Sequence, residues 1–215
     1  MMFMLPIGDE STPRKKFPLF TYIIFALNLF VFYLELRGGE AFIVQWAFIP
    51  TRFFADPGKH YVTLLTAMFM HGGWLHLGSN MLYLLIFSDN VEEHFGHFKY
   101  LFFYFLSGAA ANLAQAMFMP DSAVPIVGAS GAIAGILGAY LVLHPTRKIR
   151  VLLGFFVVQL PALIVIGSWF ILQLLNGIGS LDVDTQTGGV AYIAHIGGFV
   201  VGFLFTVFFR KRSHT

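Results

Sequence analysis

Six apolar segments dominate this sequence, and their lengths constrain the fold more than any other feature. They are 17–36, 75–90, 98–118, 130–143, 151–175 and 190–209. A helix needs about 20 apolar residues to cross the ~30 Å hydrocarbon core of a bilayer. Only 11% of the residues are charged, against roughly 25% in a soluble domain. The sequence therefore predicts an all-α polytopic membrane protein with a bundle of six transmembrane helices.

Basic residues predict how this bundle is oriented. If the N-terminus is cytoplasmic, ten of the thirteen Lys and Arg residues lie on the cytoplasmic side of the membrane. Only Arg37, Arg52 and Lys59 then lie on the other side. Because cytoplasmic loops carry an excess of Lys and Arg, this distribution favours six spans with both termini in the cytoplasm. We expect the cell (inner) membrane of a prokaryote.

The same pattern gives one membrane domain with two short tails. We expect a cytoplasmic N-terminal tail at 1–16, a membrane domain at 17–209 and a cytoplasmic C-terminal tail at 210–215. No small-x-small cleavage site follows the first apolar run, which predicts a retained helix rather than a signal peptide. The segment 37–74 mixes aromatic, charged and proline residues, which is typical of a structure in the membrane interface.

The fourth apolar segment is short and begins at a serine. Pro125 and Gly128 disfavour a helix before Ser130, and His144 followed by Pro145 ends it. About 14 residues give a helix of roughly 21 Å, which is shorter than the hydrocarbon core. Irregular backbone at that depth must be buried in protein or line a wet cavity. We therefore expect Ser130 at a buried helix N-terminus, whose free N–H groups would stabilise an oxyanion.

The last apolar segment carries a histidine beside a glycine face. His195, Gly198 and Gly202 stand at i, i+3 and i+7, and the Ser130 segment has a matching small-residue face. Two such faces allow close helix approach, which would bring His195 within hydrogen-bond reach of Ser130. A serine becomes a strong nucleophile when a neighbouring base takes its proton, and histidine is the usual base. Helix packing alone is the alternative interpretation of the serine and the glycines.

The second apolar segment adds two polar residues near its start. His76 and Asn80 stand at i and i+4, on one helix face. In the predicted orientation this helix enters from the same side as the helices of Ser130 and His195. Histidine and asparagine side chains donate hydrogen bonds to oxyanions, although an interhelical hydrogen-bond pair explains them equally well. We expect His71 at the mouth of the site, bonded to loop backbone.

Other catalytic classes find little support. The zinc-protease signature HExxH is absent, and no acidic residue stands near the histidines on the same helix, which argues against a metal site. The chain has no cysteine, so thiol nucleophiles are excluded. No pair of membrane-embedded aspartates is present. Asp182 and Asp184 fall in the 176–189 loop and are expected to be solvated, which leaves a Ser–His dyad without a third member.

Three spaced blocks within about 60–205 make the chain resemble the rhomboid family of intramembrane serine proteases. The blocks are His71-x4-His76-x3-Asn80, Gly128-Ala-Ser130-Gly131 and Ala194-His195-x2-Gly198-x3-Gly202. The resemblance implies a six-helix rhomboid-like bundle with a short, buried fourth helix. It implies that Ser130 attacks the scissile carbonyl and that His195 acts as base and then as acid. The Ser130 backbone N–H, His76 and Asn80 would form the oxyanion hole.

The resemblance also implies a substrate class. Substrates would be transmembrane helices of other proteins in the lipid bilayer, cut near the non-cytoplasmic face, with the fifth helix and the 176–189 loop gating lateral entry. No cofactor is implied, because hydrolysis needs only water, and no nucleic acid is expected. Ala134 stands where some members carry a tyrosine that stacks on the catalytic histidine, so another residue must orient His195. Val62 and Thr63 replace a Trp-Arg pair of some bacterial members.

Two functions compete with the protease. The first is a catalytically inactive rhomboid-like protein that binds or chaperones membrane helices. Such proteins usually lack the serine or the histidine, whereas Ser130 and His195 are both present. The second is a small transporter, which would favour inverted repeats and paired broken helices. Only one short helix is evident here.

Overall fold

The computed structural model describes residues 4–10, 16–180 and 190–209. Most of these residues are helical. In chain order the elements are β1 (Met4–Asp9), α1 (Leu19–Trp46), α2 (Pro50–Ala55), α3 (Pro57–His60), α4 (Thr63–Thr66), α5 (Trp74–Phe95), α6 (His97–Phe118), α7 (Ser130–Leu143), β2 (Lys148–Leu153), β3 (Phe156–Pro161), α8 (Ala162–Ser180) and α9 (Tyr192–Phe209).

Within these ranges four helices are long and apolar enough to cross a membrane. They are α1, α6, α8 and α9. The fold is therefore that of a mostly helical membrane protein. Helix α7 is apolar but has only 14 residues. Helix α5 has 22 residues but carries Asp89, Glu92 and Glu93 near its end. Membrane crossing by α5 and α7, which the count of six requires, stays a prediction.

Helix α7 lies in the centre of the bundle. All its residues from Gly131 to Tyr140 are buried, and it packs against α5, α6, α8 and α9. The predicted glycine faces meet where α7 crosses α9. A Cβ atom at Gly198 would overlap the carbonyl oxygen of Gly131, and one at Gly202 would overlap that of Gly135. The two helices therefore touch backbone to backbone, as small residues at helix interfaces allow.

The first helix is longer than the sequence predicts. It continues to Trp46 instead of ending near residue 36, with a break at Gly39, where φ is 58° and ψ is −150°. Glycine adopts this left-handed conformation without steric cost, so the helix changes direction there and resumes. The segment 37–74, expected as one interfacial structure, thus contains the end of α1 followed by α2, α3, α4 and a 3₁₀ turn.

A three-stranded antiparallel sheet corrects the all-α prediction. Strands β2 and β3 form a hairpin, and β1 pairs with the other edge of β2. The predicted fifth span, 151–175, was wrong at its start, because α8 begins only at Ala162. The hairpin turns at Gly154, which has a φ of 60°, and Ile149 and Val151 alternate with less buried neighbours. Alternating β-branched residues beside a glycine turn favour strands.

Two buried or half-buried carboxylates fasten the ends of the helices. The Glu92 carboxylate accepts hydrogen bonds from the backbone N–H groups of Phe20 (2.9 Å) and Thr21 (2.8 Å). These are free donors at the start of α1. The Asp9 carboxylate of β1 accepts from the Tyr140 hydroxyl at 2.7 Å and from the Asn90 amide at 3.1 Å. The N-terminal strand is therefore tied to the ends of α5 and α7.

Candidate active site

Ser130 is the first residue of α7, and the chain leading to it is irregular. Phe48 and Ile126 exchange two backbone hydrogen bonds, of 2.8 and 3.2 Å. The Gly128 N–H donates to the carbonyl oxygen of Ala67 at 2.9 Å. The connections before α5 and before α7 therefore hold one another in place. This arrangement satisfies the backbone of a non-helical segment inside the bundle.

Ser130 and His195 are in hydrogen-bond contact. The Ser130 Oγ lies 2.8 Å from the His195 Nε2. Ser130 opens α7, and His195 is in the first turn of α9. The contact follows from the close packing of the glycine faces, because a wider helix separation would move the two side chains apart. The pair predicted from sequence is thus brought together.

Gln173 and Trp169 also contact His195, and the sequence interpretation missed both. The Gln173 Oε1 lies 2.8 Å from the His195 Nδ1, and the centre of the Trp169 ring lies 5.9 Å from that of the imidazole, at 33°. They are four residues apart on α8 and so share a face. A glutamine within an apolar helix, one turn after a tryptophan, is the signal that would have found them. Gln173 and Trp169 thus contact the His195 ring, which the small side chain of Ala134 cannot orient.

His76 stands beside the backbone that precedes Ser130. Its Nδ1 accepts a hydrogen bond from the Gly72 N–H at 3.3 Å. In a neutral imidazole the other nitrogen then carries the proton, so Nε2 is a donor. A Cβ atom at Gly128 would lie 2.8 Å from this Nε2, and Gly128 has a φ of 131°. Glycine at this position therefore lets a histidine donor approach the start of α7.

Asn80 lies one turn further along α5. It is 6% exposed, and its Nδ2 has no hydrogen-bond partner in the described part of the chain. A buried donor without a partner costs free energy, and a catalytic role is one explanation for such a group. Ser130, His195, His76 and Asn80 all line one cavity of about 1420 Å³. The cavity thus collects two candidate donors beside the Ser–His contact.

His71 is buried, so its expected position at the mouth of the site was wrong. Only 2% of its surface is exposed, and neither ring nitrogen has a hydrogen-bond partner among the residues that the structure describes. Its backbone N–H donates to the Glu35 carboxylate at 3.0 and 3.1 Å. Burial lowers the pKa of His71 to about 3. Asp182 and Asp184 lie outside the described ranges.

Comparison with known proteins identifies relatives of the chain. A family model of the rhomboid domain matches residues 58–212. Rhomboid-like protein 11, chloroplastic, of Arabidopsis thaliana is 34% identical over 202 residues, which are 90% of this chain and 66% of the relative. The rhomboid protease GluP of Bacillus subtilis is 30% identical over 190 residues, 86% of this chain and 34% of that protein. Rhomboid protein 1, mitochondrial, of Saccharomyces cerevisiae is 29% identical over 161 residues, 71% of this chain and 44% of that protein.

These comparisons also bear on the membrane that holds the protein. The relatives come from a plant, a bacterium and a yeast, and two of their names refer to organelles. The expected prokaryotic inner membrane is therefore not supported, whereas the apolar helices do indicate a membrane protein. The chain spans between 34% and 66% of the length of these three relatives. Because the rhomboid model matches well over half of the sequence, residues 58–212, this chain belongs to the rhomboid family.

Proposed function

We propose that this protein is an intramembrane serine endopeptidase that cleaves transmembrane segments of other membrane proteins. The observation that supports this most directly is the 2.8 Å contact between the Ser130 Oγ and the His195 Nε2. It lies beside a large cavity, within a bundle of apolar helices. A nucleophile in hydrogen-bond contact with a base is the arrangement that acyl transfer requires.

The first half of the reaction forms an acyl-enzyme. The Ser130 Oγ attacks the scissile carbonyl carbon while its proton passes to the His195 Nε2. The carbonyl oxygen becomes an oxyanion, which accepts hydrogen bonds from the Ser130 backbone N–H, the His76 Nε2 and the Asn80 Nδ2. Such donors stabilise the transition state more than the ground state. The imidazolium then donates its proton to the leaving nitrogen, and the peptide bond breaks.

The second half of the reaction restores the enzyme. A water molecule from the cavity attacks the ester carbon, and His195 takes one of its protons. The oxyanion hole holds the second tetrahedral intermediate in the same way as the first. Its collapse releases the new carboxyl terminus and returns the proton from His195 to the Ser130 Oγ. Water is the only co-reactant, so the cycle balances without a cofactor.

The positions of the site residues support a common depth in the membrane. His76 is in the first turn of α5, Ser130 opens α7, and His195 is in the first turn of α9. If α5, α7 and α9 all cross from the non-cytoplasmic side, the six-span topology has both termini in the cytoplasm. The cleavage site is then near the non-cytoplasmic face. Substrates are transmembrane helices that enter the bundle from the bilayer, beside α8.

Cleavage in liposomes tests this proposal. Purified wild-type protein and Ser130→Ala are each reconstituted with a tagged single-span substrate, and products are followed on gels. We expect product from the wild type alone. Product from both proteins would show that Ser130 is not the nucleophile and would overturn the mechanism. His195→Ala is the second variant, and it should be as inactive as Ser130→Ala because the serine is then without its base.

A helix-binding protein without catalytic activity is the alternative. Several relatives carry the name rhomboid-like rather than protease, whereas Ser130 and His195 are both present here. A serine-reactive fluorophosphonate distinguishes the two functions without knowledge of the substrate. Covalent labelling of the wild type, lost in Ser130→Ala and His195→Ala, supports the protease. A wild type that binds membrane helices but is never labelled supports the alternative.

A further inference from the structure

We propose that Gln173 is a positioning residue that fixes both the proton and the orientation of the His195 ring. The inference rests on the proposed protease function. It starts from the 2.8 Å contact between the Gln173 Oε1 and the His195 Nδ1. The site then consists of a Ser–His–Gln chain of hydrogen bonds, in which two bonds hold the two nitrogens of one imidazole.

A second hydrogen bond decides which end of the glutamine amide faces the histidine. The Gln173 Nε2 donates to the Trp169 carbonyl oxygen at 3.5 Å. A carbonyl oxygen only accepts, so the amide nitrogen must be the end that faces it. The amide oxygen then faces His195. Because this oxygen is an acceptor, the His195 Nδ1 must carry a proton.

The consequence for Ser130 follows from the two tautomers of imidazole. A neutral ring with its proton on Nδ1 has a free lone pair on Nε2. This is the nitrogen 2.8 Å from the Ser130 Oγ, so the serine hydroxyl donates to it. In the opposite tautomer Nε2 carries the proton and donates it to the Ser130 Oγ, so that His195 cannot take the serine proton. Gln173 therefore selects the tautomer that the reaction needs.

A neutral amide suits this position. Gln173 is 7% exposed, and it lies on an apolar helix. A permanent carboxylate there would be a buried charge whose one partner is the imidazolium of His195. The amide oxygen accepts the hydrogen bond from the His195 Nδ1–H throughout the cycle, including the step in which the imidazolium forms. The Trp169 ring contributes a second contact to the same imidazole.

The location of Gln173 would connect substrate entry to catalysis if substrates enter beside α8. Trp169, Gln173 and Gly177 are spaced by four residues along α8, and a Cβ atom at Gly177 would lie 3.0 Å from Ile196 on α9. The face of α8 that carries Gln173 is thus packed on α9. If α8 moves away from α9 to admit a substrate, the hydrogen bond to His195 breaks. The His195 ring then has no acceptor from Gln173 until α8 returns.

Two substitutions of Gln173 separate hydrogen bonding from packing. Gln173→Met has a similar length and shape but no acceptor, whereas Gln173→Glu retains an oxygen acceptor in either protonation state. We expect Gln173→Met to lower kcat by about tenfold or more, the rate equivalent of one lost hydrogen bond, with KM nearly unchanged. We expect Gln173→Glu to recover most of the rate. Ile171→Met, at an exposed position of the same helix, is the matched control and should cleave like the wild type.

The tautomer of the His195 ring is measured directly by ¹⁵N NMR of histidine-labelled protein. The His195 signals are identified by their loss in His195→Gln. We expect a wild-type ring protonated on Nδ1 and a Gln173→Met ring in which this preference is lost. Wild-type kcat and an unchanged tautomer in Gln173→Met would overturn the inference while leaving the protease intact. An equal loss of kcat in Gln173→Met and Gln173→Glu would also overturn the inference, because packing alone would then explain why a glutamine is needed at position 173. A wild type that neither cleaves nor binds fluorophosphonate would instead refute the proposed function.

Discussion

Gly198 lies directly on the carbonyl oxygen of Gly131, so that α9 and α7 touch without any side chain between them. There is no room for a methyl group at position 198, because the Gly131 carbonyl oxygen that it would meet belongs to the backbone of a buried helix. The separation of the two helices sets the distance between Ser130 and His195. The site therefore depends on a residue that has no reactive group.

The first prediction concerns this contact. Gly198→Ala should force α9 away from α7 and reduce both substrate cleavage and fluorophosphonate labelling by about 100-fold or more, because a displacement of about 1 Å has that effect on a catalytic pair. Gly167→Ala is the control, since a Cβ atom there meets no atom within 4 Å. Normal labelling of Gly198→Ala would show that the bundle adjusts and that the glycine contact does not set the site.

The second prediction concerns Asn80. Asn80→Ala should lower kcat by about 100-fold while KM changes little, as expected when one oxyanion donor is lost. Loss of Ser130 or His195 should have a larger effect. Leu85→Ala, at a more exposed position on the same helix, controls for α5 itself. An unchanged kcat would remove Asn80 from the oxyanion hole. A lowered melting temperature with unchanged kcat would assign Asn80 to helix packing.

The third prediction concerns the anchor between α5 and α1. The Glu92 carboxylate accepts from two backbone N–H groups and from the Thr21 hydroxyl at 2.7 Å, and it lies 2.6 Å from the His97 Nδ1. Glu92→Gln should reduce the free energy of unfolding by about 2 kcal/mol or more, since hydrogen bonds to a charged group are the stronger ones. Thermal unfolding in detergent measures this.

Glu40→Gln is the control for that measurement, because Glu40 is exposed. A surface substitution of this kind changes stability by about 0.5 kcal/mol or less. Equal melting temperatures for Glu92→Gln and the wild type would contradict the anchor. A loss of activity in Glu92→Gln without any loss of stability would contradict it as well.

The fourth prediction concerns pH. Burial lowers the pKa of His71 from 6.5 to about 3 in the folded protein, with the His76 ring as a second cause. The unfolded chain therefore binds this proton below about pH 6.5, whereas the folded chain stays neutral. The contribution of His71 to stability is fully present above pH 6.5 and falls between pH 6.5 and 3, by at most about 1.4 kcal/mol per pH unit.

His71→Phe tests this dependence, because a phenyl ring has a similar shape to imidazole and takes up no proton. Melting temperatures from pH 7.5 to 4.5 should fall less steeply for the variant than for the wild type. Parallel curves would show that His71 takes up no proton on unfolding. The Glu35 carboxylate at the His71 backbone N–H is present in both proteins and does not distinguish them.

Four candidate site residues are predictable from sequence for a physical reason. Ser130, His195, His76 and Asn80 are polar residues beside glycine patterns or at the starts of apolar helices, and neither feature depends on long-range structure. A glycine face predicts close helix contact, and a helix start predicts free N–H groups. The spacing of the residues along each helix then predicts which side chains can meet.

Gln173 and Trp169 are not predictable in the same way. Their contact with His195 depends on where α8 begins and on its rotation, and a hydropathy pattern fixes neither. The apolar run from residue 151 looks like one long span, because Val and Phe are equally suited to strands and to membrane helices. Strand β2 of the hairpin around Gly154 also pairs with β1, which is more than 130 positions away in the chain. The pairing with β1 leaves no local signal, whereas the glycine turn and the alternation along β2 are local signals that the apolar run obscured.

Strand β1 has a consequence for how the protein behaves in solution. It covers the edge of β2 along Met4–Asp9, and an uncovered strand edge offers unpaired N–H and C=O groups to any other chain. Truncation beyond Asp9 would expose that edge next to the apolar tip of the hairpin, where Phe155 and Phe156 are already 99% and 75% exposed. We therefore expect the N-terminal strand to prevent pairing between copies of the protein through the edge of β2.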